Sequence, residues 1–288
     1  MLHLCASPQD QIARLTQAVA TALAADFAQN GRALLAVSGG RSPIPLFHAL
    51  AQAPIDWARV TIALVDERVV PADHADSNAA LVRAHLLTGA AAQARFLPLV
   101  DDPQDLAGCV TRANAQLRAL ALPISAALLG MGDDGHTASL FPGAPELAAG
   151  LDPAYPDAYL AITPPPGRPK AGIPLPASPT RGGGEITPSP LVGRVGAGIV
   201  LSGLSARKGS AGEAEAWGPN TPPPPIPHNR ISLSLAALLQ SRRLLLSIAG
   251  EAKRAVFEQA SAPPRSAQLP ISFVIQQTQT PFDAYWTR

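Results

Sequence analysis

Residues 128–142 read LLGMGDDGHTASLFP and set Asp134 and His136 two positions apart, on either side of Gly135. A carboxylate beside an imidazole in a glycine turn is an arrangement that suits a general base. The acid orients the ring or binds a substrate hydroxyl, and the neutral imidazole takes a proton near pH 7. The pattern predicts that this turn leaves a strand and enters a helix, whose N-terminus would disfavour imidazolium at His136. The same stretch spells G-x-G-x-x-G through Gly130, Gly132 and Gly135, the spacing of a dinucleotide turn. That reading fails on two counts. Asp133 and Asp134 would repel a pyrophosphate from inside the turn, and Asp152 and Asp157 both precede the next strand-like run, YLAIT, instead of ending it. A metal is also disfavoured, because two ligands this close leave no obvious third or fourth.

Three more stretches carry groups that could meet a ligand. In AVSGGRSP (36–43) an apolar run enters Ser38-Gly39-Gly40 and a helix is predicted behind Ser42-Pro43. Exposed amides and a positive helix end would face one point, with the Ser38, Arg41 and Ser42 side chains as further donors. An anion cradle and a plain tight turn both remain open, and the Walker-A ending G-K-[ST] is missing. In LVDERVVPADHADSN (64–78) Asp66, Glu67 and Arg68 follow a strand end and must either pair among themselves or meet a ligand. Glu67 reads as part of a surface ion-pair turn, His74 as a solvated loop residue, and Ser77-Asn78 as a helix opening. Lys253 falls in the first turn of a helix, where a cation is unfavourable unless an anion is near. Arg230, read alone, is an ordinary solvated charge; with Lys253 it would complement the Ser38–Gly40 turn.

Positioning these groups requires elements that end near one another. ALLAV (33–37), VTIALV (60–65), RFLPLV (95–100), ISAALLG (124–130) and RRLLLSIAG (242–250) are short, unalternating and bounded by turn residues, as buried parallel strands are. Helical stretches separate them: 7–30 with Ser7 as cap and Pro8 at the first position, Pro43 to Gln52, Asn78 to Leu87 behind Ser77, Pro103 to Ala121 behind Asp102, and 251–260. Alternating strands and helices predict a doubly wound, mostly parallel α/β sheet flanked by helices, with ligands beyond the carboxyl ends of the strands.

The alternation breaks between 164 and 227, where 15 Pro and 12 Gly fall in 64 residues. Such composition cannot offset its ordering entropy, which predicts a disordered insertion in a single domain spanning 1–288. The segment carries a net charge of +3 (six Lys and Arg against three Glu), a basic arm being the alternative reading. The whole chain is near neutral, 22 basic against 21 acidic residues, which speaks against nucleic acid or an anionic membrane as partner. Cys5 and Cys109 stand outside any disulfide or metal spacing and read as buried thiols of a cytoplasmic protein. No apolar run reaches membrane-spanning length, and the near-terminal cysteine has no signal segment before it.

Taken in order, SGGRSP, VDERVVP with SN, GMGDDGHTASLFP, NRISL and AGEAKRAV resemble the signature of the 6-phosphogluconolactonase family over nearly all of the chain outside 164–227. DGHTASLFP is the most specific part; SGG-x-x-P is shared with the related glucosamine-6-phosphate deaminases. The resemblance implies the fold shared by those sugar-phosphate enzymes and ribose-5-phosphate isomerases. It also implies hydrolysis of 6-phospho-D-glucono-1,5-lactone to 6-phosphogluconate in the oxidative pentose phosphate pathway, without metal or redox cofactor. On that resemblance Ser38, Gly39, Gly40, Arg230 and Lys253 hold the phosphate, with Arg41, Ser42 and Asn78 beside the substrate. Asp66, Arg68 and Asp134 line the sugar and reaction centre, and His136 activates water. Arg68 is the candidate for the oxyanion, and the protein is expected to be a monomer or small homo-oligomer. The alternatives are an amino-sugar-phosphate deaminase or isomerase and a non-catalytic sugar-phosphate-binding protein. Ser139-Leu140-Phe141-Pro142 offers no carboxylate after the Asp-Gly-His for the ring opening that a deaminase performs.

Overall fold

The computed structural model describes residues 1–165 and 228–288. The insertion expected at 164–227 lies, except for its first two residues, outside the described residues.

In chain order the elements are β1 (Leu2–Leu4), α1 (Pro8–Asn30), β2 (Ala33–Val37), α2 (Ile44–Ala51), β3 (Val60–Leu64), β4 (Asp66–Arg68), α3 (Asn78–His85), β5 (Arg95–Leu97), α4 (Leu106–Leu120), β6 (Ala126–Leu129), α5 (Leu147–Gly150), β7 (Tyr159–Ile162), β8 (Arg230–Leu233), α6 (Leu235–Leu239), β9 (Leu244–Ala249), α7 (Glu251–Ser261), α8 (Ile271–Ile275) and β10 (Phe282–Thr287). Seven strands form one sheet in the order β1-β10-β9-β6-β2-β3-β5, and every pairing in it is parallel. β2 and β3 are buried along their whole length, which is why their sequences do not alternate. From β2 the chain steps outward through β3 to β5, then returns to lay β6 against the other side of β2 and continues through β9 to β10. The winding direction therefore reverses between β2 and β6, and a ligand crevice belongs at the carboxyl ends of those two strands.

The sequence does not reveal a second sheet, of three antiparallel strands ordered β4-β8-β7. It is anchored to the end of the main sheet: the buried Tyr159 hydroxyl of β7 donates to the Leu64 carbonyl at 2.8 Å, and the Leu233 amide of β8 donates to the Val65 carbonyl at 2.8 Å. Ile162 on β7 pairs with Arg230 on β8, so the chain that leaves after Ile162 returns to the neighbouring position of the same sheet.

Local chemistry explains where elements start and stop. The Ser7 hydroxyl accepts the Asp10 amide at 3.1 Å, Pro8 opens α1, and Gly31 ends it at φ 72°, as predicted. α4 begins later than the expected Pro103. Asp102 instead accepts the Gln104 amide at 2.9 Å in a local turn, and Asp105 caps the helix through the Gly108 amide at 2.9 Å. α2 starts at Ile44 behind Pro43 with no side-chain cap, so Ser42 is free of that duty. β5 stops at Leu97 because Pro98 has no amide to continue the ladder. Cys5 and Cys109 are buried free thiols, in line with the sequence reading. No helix among the described residues is long and apolar enough to cross a membrane.

Candidate functional site

A cleft of about 400 Å³ opens at the reversal point between β2 and β6. Its lining joins the turn after β2 (Ser38, Gly39, Gly40, Ser42), the turn after β6 (Gly130 to Gly132, His136), Asp66 and Arg68 of β4, Asn78 at the start of α3, and Lys253 in the first turn of α7. The glycine turn and the histidine turn meet because Val37 and Leu128 are register partners, so both loops leave the sheet at one level.

The turn after β2 leaves backbone donors unclaimed. Among the described residues no acceptor takes the amides of Gly39, Gly40, Arg41 or Ser42, and three of those four residues line the cleft. The Ser38 hydroxyl lines the cleft and donates to the Leu128 carbonyl at 2.9 Å, which fastens β2 to β6. Gly40 sits at φ 90°, a conformation that costs other residues strain. Gly39 is required by its neighbour: a Cβ there would fall 1.8 Å from Asn78 Oδ1. Arg41 is exposed and does not line the cleft, so its predicted place among the ligand donors is not supported by its position.

The histidine turn is closed by backbone bonds from the Gly132 amide to the His136 carbonyl at 2.9 Å and from the Gly135 amide to the Gly132 carbonyl at 3.1 Å. His136 Nδ1 lies 2.6 Å from Asp134 Oδ1. An ionised carboxylate only accepts, so Nδ1 carries the hydrogen and Nε2 keeps its lone pair for a proton. Burial alone would raise the Asp134 carboxyl, but the hydrogen bonds from the His136 ring and amide outweigh it and hold the group below its ordinary value. A Cβ on Gly132 would lie 2.2 Å from His136 Nδ1 and 2.5 Å from Asp134 Oδ1, so the glycine is what lets the pair fold back on its own turn. No helix follows. The chain makes an isolated bridge from Thr137 to Leu140 and the next helix is α5, so the expected helix-end effect on His136 is absent. That also removes the structural context of a dinucleotide fingerprint.

β4 sorts its three charges by strand alternation. Asp66 and Arg68 face the cleft while Glu67, only 1% exposed, points inward. The expectation of a surface ion pair at Glu67 is therefore wrong. Its carboxylate accepts the Asn78 amide at 2.8 Å, the Ala79 amide at 2.7 Å and the Arg68 amide at 2.7 Å, and with the Ser77 hydroxyl at 3.3 Å it ties β4 to the start of α3. Burial raises its carboxyl despite those donors. Asn78 then donates to the Asp66 carbonyl at 2.8 Å and accepts from Arg68 Nη1 at 2.9 Å. Ser139, fully buried and missed in the sequence, donates to Asp66 Oδ2 at 2.6 Å while its amide donates to the Ser232 hydroxyl at 3.1 Å.

Arg230 pairs directly opposite Arg68 across the small sheet. It is half-buried, and burial, followed by the charge of Arg68, pushes its guanidinium below the ordinary value, so it is not the solvated charge its sequence position suggests. It is not among the cleft-lining residues. The carboxylates of Asp66, Glu67 and Asp76 offset part of the repulsion between the two guanidinium groups. Lys253 donates to the Met131 carbonyl from the far side of the histidine turn. α7 begins at Glu251 behind Gly250, and no side chain caps its first amides. Gln11, from α1, also lines the cleft and was not foreseen; it donates to the Ile248 and Tyr285 carbonyls at 2.9 and 2.7 Å, locking α1 to β9 and β10.

The family model described as glucosamine-6-phosphate isomerases/6-phosphogluconolactonase matches residues 6–176 and 208–286. The chain belongs to this family. It is similar to the 6-phosphogluconolactonase of Pseudomonas putida, 36% identical over 285 residues, which cover 99% of this chain and 92% of that one. It is also similar to that of Neisseria meningitidis serogroup B, 35% identical over 263 residues, 91% of this chain and 87% of the other. Among solved structures, a 6-phosphogluconolactonase from Shewanella baltica superposes with a TM-score of 0.76 at 29% identity, covering 100% of this chain and 97% of that one. A monomeric glucosamine-6-phosphate deaminase shares the fold at a TM-score of 0.65 and 14% identity. The parallel sheet and flanking helices are thus the fold of this family.

Proposed function

We propose that this protein hydrolyses 6-phospho-D-glucono-1,5-lactone to 6-phosphogluconate in the oxidative pentose phosphate pathway, with His136 as general base. The observation that carries the reading is the Asp134–His136 pair in one cleft with the free amides of the Gly39–Gly40 turn and with Lys253. Full-length similarity to proteins named 6-phosphogluconolactonase supports the same reaction.

The phosphate rests on the amides at Gly39 and Gly40, near the capless start of α7 and Lys253, with Arg230 adding charge from the small sheet. Asn78 and Asp66 meet the sugar hydroxyls. His136 Nε2 takes a proton from a water as its oxygen attacks the lactone carbonyl, while Asp134 steadies the imidazolium that forms. Arg68 faces the oxygen that becomes negative. Collapse of the tetrahedral intermediate breaks the bond to the ring oxygen, which receives the proton back from His136 and leaves as a hydroxyl. Grip on the distant phosphate positions an already reactive ester, so the site needs no further equipment. The substrate is a small soluble sugar phosphate, and the reaction is assigned to the cytoplasm.

The test supplies freshly made lactone and follows its loss against spontaneous hydrolysis, for the wild type and for His136→Ala. Catalysis that disappears in the variant is the expected result. A wild type no faster than buffer, yet able to bind 6-phosphogluconate, would overturn the hydrolase and leave a binding protein.

A further inference from the structure

Beyond the cleft, two histidines and an aspartate converge where the chain returns into β8. His228 Nε2 lies 3.5 Å from Asp76 Oδ2, His74 Nδ1 lies 3.9 Å from the same oxygen, and one ligand atom from each of the three falls within 4.8 Å of the others. The two rings stand edge to face, centroids 5.3 Å apart at 78°. Ligands on a tetrahedral zinc at about 2.0–2.1 Å are separated by roughly 3.3–3.5 Å, so one edge of such a site is already formed and the others need small side-chain rotations. The Asp76 amide donates to His74 Nδ1 at 3.1 Å, which puts the ring hydrogen on Nε2 and turns the Nδ1 lone pair toward the aspartate. Binding exchanges that bond for a metal bond. The side chains are 41%, 59% and 42% exposed for His74, Asp76 and His228, so an ion and a completing water can reach them.

We propose that His74, Asp76 and His228 form a binding site for a zinc-class divalent ion that clips the 71–77 loop to the entry of β8. Two imidazoles and one carboxylate make a borderline-soft donor set that suits zinc and not magnesium or calcium. Each segment it joins also holds one arginine: Arg68 Nη1 donates to the Asp76 carbonyl at 2.8 Å, and Arg230 donates to the His228 carbonyl. The ion stands outside the cleft and takes no part in hydrolysis, so the site does not depend on the lactonase reading. Those two guanidinium charges oppose a cation, which sets the affinity below that of a four-ligand structural zinc.

The experiment titrates zinc chloride into the full chain, untagged and stripped with a chelator, by calorimetry, and follows the thermal midpoint with and without zinc. The expected result is about one ion per chain and a raised midpoint, with binding weakened roughly tenfold or more in His74→Ala and in His228→Ala. The double variant His48→Ala/His85→Ala removes the other close histidine pair, Nε2 to Nδ1 at 3.0 Å, and keeps zinc binding unchanged. Absence of zinc binding, binding unaffected by both site variants, or binding lost in the control would each overturn the proposal.

Discussion

The two sheets contribute to the site in different ways. The seven-stranded parallel sheet presents what lies beyond its strands: the Gly39–Gly40 amides, the Asp134–His136 turn and the start of α7. The three-stranded antiparallel sheet presents side chains from within its strands, Asp66 and Arg68 on β4 and Arg230 opposite Arg68 on β8. A parallel sheet buried on both faces has only its ends to offer a ligand, whereas a small antiparallel sheet can turn one face to the cleft and bury the other. On the proposed reading, the base and the amides that grip the phosphate reside on the large sheet, while the small one adds Arg230 toward the phosphate and Arg68 toward the developing oxyanion.

The sharpest way to test that division is His136→Ala on the large sheet. It should lower kcat by about 10²–10⁴-fold with little change in KM, measured as lactone loss corrected for spontaneous hydrolysis. Gly39→Ala comes next. The added Cβ displaces Asn78, which holds Arg68, so a change on the large sheet should disable the small one, lowering kcat/KM by about 10²-fold while the thermal midpoint moves little. Glu67→Ala attacks the inner face of β4. Leaving the Asn78 and Ala79 amides of α3 without their buried acceptor should cost about 2–3 kcal/mol in denaturant unfolding. Ser139→Ala releases Asp66 from the bond that joins the histidine-turn segment to the small sheet, and kcat/KM should fall about tenfold with stability nearly unchanged. Smallest of all is the deletion of residues 167–220. Because Ile162 and Arg230 are already partners, the small sheet closes without that segment, and kcat and KM should stay within about twofold. A dead or insoluble deletion would show that the small sheet depends on it.

Most of the large sheet is legible in the chain. ALLAV, VTIAL and AALL are continuous apolar runs between turn residues, and Ser7-Pro8 and Ser77 announce their helices. The edge strand β1 and its neighbour β10 are not, because β1 pairs with β10 from the opposite end of the chain, β10 fits between β1 and β9, and neither run is uniformly apolar. The small sheet is invisible for a related reason. Asp66-Glu67-Arg68 reads as a charged turn, and only its pairing with β8 makes it a strand with one charge inward and two outward. Ser139 and Gln11 escape as well, since a serine or glutamine gives no local sign that it will be buried against a ligand wall.

The chain by itself therefore determined the residues that must be chemically special: glycines where backbone must approach or turn, and a carboxylate and imidazole two positions apart in one such turn. Those are properties of neighbours along the backbone, which sequence carries directly. Tertiary structure alone decided that positions 39, 136 and 253 face one cleft, that Glu67 is a buried cap and that Arg230 opposes Arg68. These depend on strand order and register, set by packing between segments far apart in the chain, and no local pattern encodes which strand lies beside which.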